Sequence, residues 1–412
     1  MPETTSSNEA PGTAVGRRDV SLMEGRLRPY PWGSRTALAE LTGRPSPTAR
    51  PEAELWFGAH PEAPSTLPVD GTDLLERISG DPHGELGDAA PDGRLPFLLK
   101  LLAADQALSL QAHPTKEQAE EGYARENAAG LPAGSPVRNY KDDNHKPELL
   151  VALTRFEALA GFRPVEKTRA LLEALSVPEL DRYAELLHGP AGDSEGLRAL
   201  VTTWISLPPH RRLELIEAVL EACRTVVRPG SGVEDWMTGS AGAALDLADQ
   251  HPGDAGILVS LLLNHVVLEP GQALFLSAGN LHAYLRGTGV EIMANSDNVL
   301  RGGLTTKHVD VPELMKVVDF TPTADPVQLA GEDGVFPTPV PEFRLRSVDE
   351  DRTVGVEGPA IVLAVRGEVE VEVAGPDGTD LLLTPGQAAW VPASTDGVTA
   401  RGGGHFFVAT VG

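Results

Sequence analysis

LEPGQALFLSAGNLHA, from Leu268 to Ala283, and LTPGQAAWVPASTDGV, from Leu383 to Val398, repeat one another at an offset of 115 residues. Leucine, proline, glycine, glutamine, alanine and a later alanine coincide, from Leu268/Leu383 through Ala278/Ala393. A Pro-Gly turn, a short apolar strand and a tight polar turn make up the recurring unit of a double-stranded β-helix, so two copies predict a duplicated jelly roll. Chance matching of two Pro-Gly-Gln turns is a weak alternative to six identities in register. The copies differ where it matters for chemistry: His282 follows the first turn, and Gly397 takes that place in the second. A ligand histidine is expected only in the first unit.

The unit resembles the cupin motif, and the flanking sequence completes an organisation around it. From Leu22 to about Ala160 the chain is dense in Pro, Gly, Trp and short apolar runs, the pattern of strands joined by irregular loops. Within it, LPFLLKLLAADQALSLQAHP reads as a strand pair, and Thr115-Lys116-Glu117-Gln118 has the form of a capping box opening a helix to Glu126. Between about Val165 and Gln250 the period changes: TRALLEALSV, EGLRALVTTWISL and HRRLELIEAVLEACRTVV are helical, with Pro-rich breaks. The expected class is mainly β with an all-helical insertion and a duplicated cupin architecture. Its expected parts are a solvated tail (1–20), a metal-binding unit (21–164 and 256–320), a helical insertion (165–255) and a C-terminal cupin-like unit without metal (321–412), which is assigned a packing role. His188, His210 and His251 fall in or beside the helices without clustering, so that whole segment is read as packing.

Composition limits the partners. Among 412 residues, 34 are basic and 59 acidic, a net charge of −25. Nucleic acid and anionic membrane both bind basic surfaces, so neither is an expected partner. No run of eighteen apolar residues predicts a membrane span. The opening MPETTSSNEAPGTAVGRRDV has no apolar core of a signal peptide, and the single cysteine, Cys223, excludes an internal disulfide or a thiolate metal site. A cytoplasmic monomer acting on a small molecule is expected. Lysine is scarce: Lys100, Lys116, Lys141, Lys146, Lys167, Lys307 and Lys316 are the full set, and Lys100, Lys146 and Lys307 fall inside unusually polar blocks. On an acidic protein, such cations suit one anionic ligand.

Those blocks are PYPWGSRTAL (Pro29–Leu38) with ELWFGAHPEAPS (Glu54–Ser65), LLKLLAADQALSLQAHP (Leu98–Pro114), NYKDDNHKPELL (Asn139–Leu150) and EIMANSDNVLRGGLTTKHVD (Glu291–Asp310). On a strand, Ser109, Gln111 and His113 share one face, so Gln111 and His113 can reach one metal from adjacent positions. Lys146 and Glu148 repeat that spacing. A lone strand histidine is more often a satisfied polar residue than a ligand. Two imidazoles, a carboxylate and an amide oxygen nevertheless form an N/O set suited to zinc. Spacing alone does not join Glu148 to His282.

Tyr140-Lys141-Asp142-Asp143-Asn144-His145-Lys146-Pro147-Glu148, QAHP, ELWFGAHP and EIMANSDNVLRGGLTTKHVD together resemble the type I mannose-6-phosphate isomerases, in collinear order from Arg28 to about Phe320. One departure is Asp143, where the family commonly has proline; it replaces no proposed ligand. The resemblance implies one Zn²⁺ held by Gln111, His113, Glu148 and His282. It implies a catalytic Arg301, with Lys146, His145, Asp297 and Glu291 as candidates for proton transfer and ring opening. It implies Trp32, Lys100, Ser109, Tyr284 and Lys307 as pocket or phosphate contacts, and a phosphosugar substrate, mannose 6-phosphate interconverted with fructose 6-phosphate through a cis-enediol.

Two other readings compete. A cupin metal-dependent oxygenase would want three histidines and a carboxylate around iron, and the amide of Gln111 argues against it. A non-catalytic sugar-phosphate-binding cupin would keep the pocket without proton-transfer groups, and Lys146, Arg301 and Asp297 together argue against that. Lys146 and Arg301 could also simply neutralise Glu148 and Asp297.

Overall fold

A computed structural model describes residues 20–90, 92–188, 192–349, 352–374 and 380–412; the expected N-terminal tail lies outside these except for Val20. The described residues form an eleven-stranded, a seven-stranded and a four-stranded sheet, with a run of helices between residues 165 and 260. No helix among them is long and apolar enough to cross a membrane.

The repeated turns fold alike. Gly271 and Gly386 sit at φ 88° and 85°, the left-handed conformation that glycine adopts without steric penalty. In each, the following glutamine closes the turn on itself: Gln272 Oε1 accepts from the Glu269 N–H at 2.8 Å, and Gln387 Oε1 accepts from the Thr384 N–H at 2.9 Å. Strands Ala273–Leu276 and Gln387–Val391 follow. Thus the shared Pro-Gly-Gln encodes one geometry twice.

The long strand His282–Ala294 organises the larger sheet. It pairs antiparallel with Phe97–Ala104, Glu148–Ala152 and Phe156–Phe162, and its first residue lies opposite Gln111 of Leu110–Ala112. Its register against Phe156–Phe162 shifts between Tyr284 and Arg286, a bulge that changes which side chains face which way. Phe97–Ala104 is buried at every position, which explains its continuous apolar run broken only by Lys100.

The seven-stranded sheet draws on both ends of the chain. Ser21–Glu24 pairs with Gln387–Val391, so this N-terminal strand crosses the expected boundary into the C-terminal unit's sheet. Between the two large sheets, Phe97, Leu99, Leu101, Val290 and Ile292 pack into one core with Ile361, Leu363, Trp390 and Phe407. Each such side chain fully buried is worth about 1.5–3 kcal/mol. The helices join another core, in which Trp204, Leu200, Val219 and Ile257 meet Leu110 and Leu300 from the strands around the cleft described below and Leu281 from the turn before His282. The helix Lys116–Ala128 starts with the expected capping box, the Thr115 side chain and the Gln118 side chain each bonding the other's backbone N–H.

Candidate functional site

Two cross-strand rows build the site. In one, Arg301 lies opposite Gln111 and Gln111 opposite His282. In the other, Trp56 lies opposite Lys100 and Lys100 opposite Glu291. Neighbours in such rows have their Cβ atoms about 5 Å apart, so register alone brings these residues together.

His113 and His282 converge on Glu148. Their Nε2 atoms lie 3.5 Å from Glu148 Oε1 and Oε2 respectively, and the ligand atoms of the three residues fall within 4.8 Å of one another. His113 Nδ1 lies 2.7 Å from the Asn298 carbonyl and His282 Nδ1 lies 2.9 Å from the Asn280 carbonyl. A carbonyl only accepts, so each Nδ1 donates, leaving each neutral ring's Nε2 lone pair facing the carboxylate. Burial, the largest influence, pushes the His113 imidazole pKa down. Burial opposes ionisation of Glu148, but Lys146 and His113 beside it outweigh that and hold its carboxyl well below the usual range. His113 Nε2 and Glu148 Oε2 are buried without a hydrogen-bond partner. Buried polar atoms left orphaned this way are costly, and a cation satisfies them. The donor set therefore fits a metal ion. Gln111 reaches the same point, its Nε2 as placed lying 3.3 Å from His282 Nε2; exchanging the amide's O and N would present the oxygen there instead.

Above this cluster opens a cleft of about 740 Å³. Of the expected residues, Trp32, Lys100, Ser109, Gln111, Lys146, Asp297, Arg301 and Lys307 line it. Lys146 Nζ stands 3.0 Å from Glu148 Oε1, so the ion-pair reading describes this lysine in part. It does not describe Arg301, which has no carboxylate partner among the described residues and whose pKa is lowered by burial alone. Lys307 is lowered too, first by burial and then by neighbouring Arg301 and Lys141. Arg301, Lys141 and Lys307 thus form one cationic wall.

Several expected residues stand elsewhere. His145 does not line the cleft, and its Nε2 lies 2.5 Å from Glu342 Oε1. Tyr284 is 2% exposed and does not line the cleft; its hydroxyl donates to Glu291 Oε1 at 2.9 Å. Glu291, equally buried, is held from its other side by Lys100 at 2.8 Å. Lys100 also lies 3.9 Å from Glu54 and over the Trp56 ring at 5.5 Å. Lys100 and Lys307, both expected as pocket or phosphate contacts, both line the cleft, but Lys100 is engaged by carboxylates while Lys141 accompanies Lys307.

Sequence reasoning missed Lys141, Glu54, Trp56 and His60, all lining the cleft, although each sits inside a quoted block. It also read the helical segment as packing throughout, whereas Asp249, Gln250 and His251 reach the cleft rim. Asn298 was missed as well. Its carbonyl orients His113, while its side chain bonds the Lys141 N–H and the Asp142 and Asn144 carbonyls, tying two signature blocks together.

A buried His–Glu–His set beneath a cleft with a cationic wall, carried on antiparallel sheets, defines a metal-binding β protein suited to a small anionic ligand. Comparison with known proteins narrows this. A family model for the catalytic domain of type I phosphomannose isomerase matches residues 22–165. The mannose-6-phosphate isomerase of Salmonella typhimurium is 39% identical, over 91% of this chain and 95% of its own. That of Homo sapiens is 33% identical, over 83% and 86%. A crystal structure of a phosphomannose isomerase variant from Salmonella typhimurium superposes with a TM-score of 0.85 at 34% identity, covering 96% of this chain and all of the other. A mannose 6-phosphate isomerase bound with zinc and yttrium gives 0.84 at 35%, with the same coverage. The chain belongs to the type I mannose-6-phosphate isomerase (phosphomannose isomerase) family.

Proposed function

We propose that the protein is a zinc-dependent aldose–ketose isomerase interconverting D-mannose 6-phosphate and D-fructose 6-phosphate. The observation that carries this is the orphaned pair His113 Nε2 and Glu148 Oε2, buried below a cleft that Lys146 and Arg301 line. His113, Glu148, His282 and the amide oxygen of Gln111 would hold the ion. When bound, zinc supplies a Lewis acid to sugar oxygens.

The reaction moves a proton between C2 and C1 and another between their oxygens; one carbon is oxidised as the other is reduced, so no redox partner is needed. Lys146, in the cleft beside Glu148, is assigned the carbon proton. Asp297, 3.7 Å from His60, is assigned the oxygen proton. Arg301 faces the cleft as a guanidinium without a carboxylate partner among the described residues and stabilises the enediolate. Lys141 and Lys307 take the phosphate, with Ser109 donating to it, and that remote charge orients the sugar. The presence of Lys146, Asp297 and Arg301 in one cleft weighs against a non-catalytic binding role.

The same proposal covers the architecture and setting. Residues 21–164 and 256–320 are assigned to a zinc-binding cupin unit, 165–255 to a helical insertion and 321–412 to a second cupin unit without ligands, sharing the strand Ser21–Glu24. The twin turns at Gly271 and Gly386 support the duplication. A cytoplasmic monomer is assigned, consistent with a buried, unpaired Cys223.

The test couples fructose 6-phosphate formation to a spectrophotometric readout. Chelator-stripped protein should be inactive and recover with one equivalent of zinc, and His113→Ala and His282→Ala should each fail to retain zinc. No turnover of mannose 6-phosphate by stoichiometrically zinc-loaded protein would sink the proposal.

A further inference from the structure

The helical segment ends in a turn that touches both walls of the cleft. Gln250, at the end of helix Asp235–Gln250, accepts a hydrogen bond from the Ala107 N–H at 2.7 Å, two residues ahead of Ser109 on one wall. Four residues on, Asp254 gathers three backbone donors. Its Oδ1 accepts from Gly256 at 2.7 Å and from Leu304 at 2.8 Å, and its Oδ2 accepts from Thr305 at 3.3 Å. Leu304 and Thr305 lie between Arg301 and Lys307 on the opposite wall.

That stretch needs an outside anchor. The strand Leu300–Gly303 pairs only with Leu110–Ala112 among the described strands, and its register already shifts between Arg301 and Gly303. Past Gly303 no ladder holds the chain. Leu304 then adopts φ 55°, a left-handed conformation disfavoured for a side chain with a Cβ. Such a residue persists where its surroundings over-determine it. Here they do: the Leu304 side chain is 1% exposed, seated against Gly256, and its N–H ends on a carboxylate. The turn carrying Asp254 is itself braced, its N–H bonding the His251 carbonyl at 3.1 Å and the neighbouring Gly253 carbonyl accepting from Arg212 Nε at 3.0 Å.

We propose that Asp254 is a positioning residue for the isomerase reaction: its carboxylate fixes the backbone after Arg301 and so sets where Arg301 and Lys307 stand over the substrate. Charge-assisted bonds to several N–H groups are strong and directional enough for that role. The inference rests on the assignment of Arg301 and Lys307 to the substrate. It gives the helical segment, remote in sequence from the metal ligands, a part in substrate recognition.

A double-mutant cycle on mannose 6-phosphate turnover, with zinc content and backbone amide exchange measured alongside, tests it. Asp254→Ala should lower kcat/KM by roughly 10–100-fold, the scale of a misplacement of about 1 Å, while zinc stays stoichiometric. In the Arg301→Ala background the same change should cost clearly less than in the wild type, because one of the two groups it positions is gone. Asp254→Asn keeps an acceptor for Gly256 and Leu304, so it should recover most of the loss; it also serves if Asp254→Ala does not fold. Amide exchange should quicken at residues 301–307 and stay unchanged along His282–Ala294. Additive losses, unchanged kcat/KM, or zinc loss in step with activity would overturn the proposal. An inactive wild-type chain would refute the isomerase reading instead, and the exchange data would still decide this one, since unchanged exchange at 301–307 overturns it.

Discussion

Replacing Lys100 with methionine should expose how the buried charge row is held together. Lys100 is 5% exposed, between Glu291 at 2.8 Å and Glu54 at 3.9 Å, themselves 2% and 6% exposed. The variant keeps the apolar stem and deletes the charge. Glu54 and Glu291 then lose their shared cation, and breaking a buried pair in this way costs about 3–5 kcal/mol. Proton uptake limits the cost. Burial already raises the Glu54 pKa even with Lys100 present, so Glu54 is the carboxyl that takes a proton. Holding a carboxyl of ordinary pKa neutral at pH 7 costs roughly 3.5–4 kcal/mol, at about 1.4 kcal/mol per pH unit. Because the wild-type Glu54 is itself harder to ionise than a free carboxyl, the penalty should stay below that ceiling at pH 7 and shrink as pH falls. The sign follows from linkage. With the folded pKa raised above the unfolded one, the variant's native state binds more protons, so its stability deficit grows as pH rises. Calorimetric melting of wild type and variant at about pH 5.5 and 7.5 reads this as a gap in Tm that narrows on acidification. Lys100→Met/Glu291→Gln should close much of the gap at the higher pH. An unchanged Tm, or a gap that widens in acid, would refute the reasoning.

Arg301→Ala should lower kcat on the order of 10²–10³-fold with little change in KM and normal zinc content, as expected for one electrostatic contact made in the transition state. Arg301→Lys should restore only part, since an ammonium lacks the planar fork; a rise in KM alone would reassign Arg301 to the phosphate. Lys141→Ala and Lys307→Ala, both at exposed positions, should each raise KM for mannose 6-phosphate by roughly 10–15-fold, the low end for a charged hydrogen bond. Turnover of unphosphorylated mannose should not respond, and an equal loss on both sugars would remove them from the phosphate site.

What could be read from the sequence was whatever is encoded locally. The Pro-Gly-Gln repeat fixed two turns because glycine's left-handed φ and the glutamine's return bond involve neighbours only. The capping box at Thr115 was legible for the same reason. Motif resemblance supplied the pairing of Glu148 with His282, which spacing could not. Register was out of reach. Lys100 looked like a free cation because its partner Glu291 lies 191 residues away. His145 sat inside the signature, yet it turns to Glu342 across 197 residues. The turn at Gln250–Asp254 carries no motif, since it acts by accepting backbone N–H groups that any residue can offer.

The bulge near the start of His282–Ala294 has a consequence for how one strand serves two tasks. His282 and Glu291 are separated by an odd number of positions, and in an unbroken strand they would project from opposite faces. The irregularity between Tyr284 and Arg286 offsets the alternation by one step, so that Tyr284, on the early phase, can donate to Glu291, on the later one. Met293, in phase with Glu291, then faces the cleft. The strand therefore runs in two reading frames, the first addressed to the metal ligands and the second to the sugar's surroundings, with the frameshift written into the backbone between them.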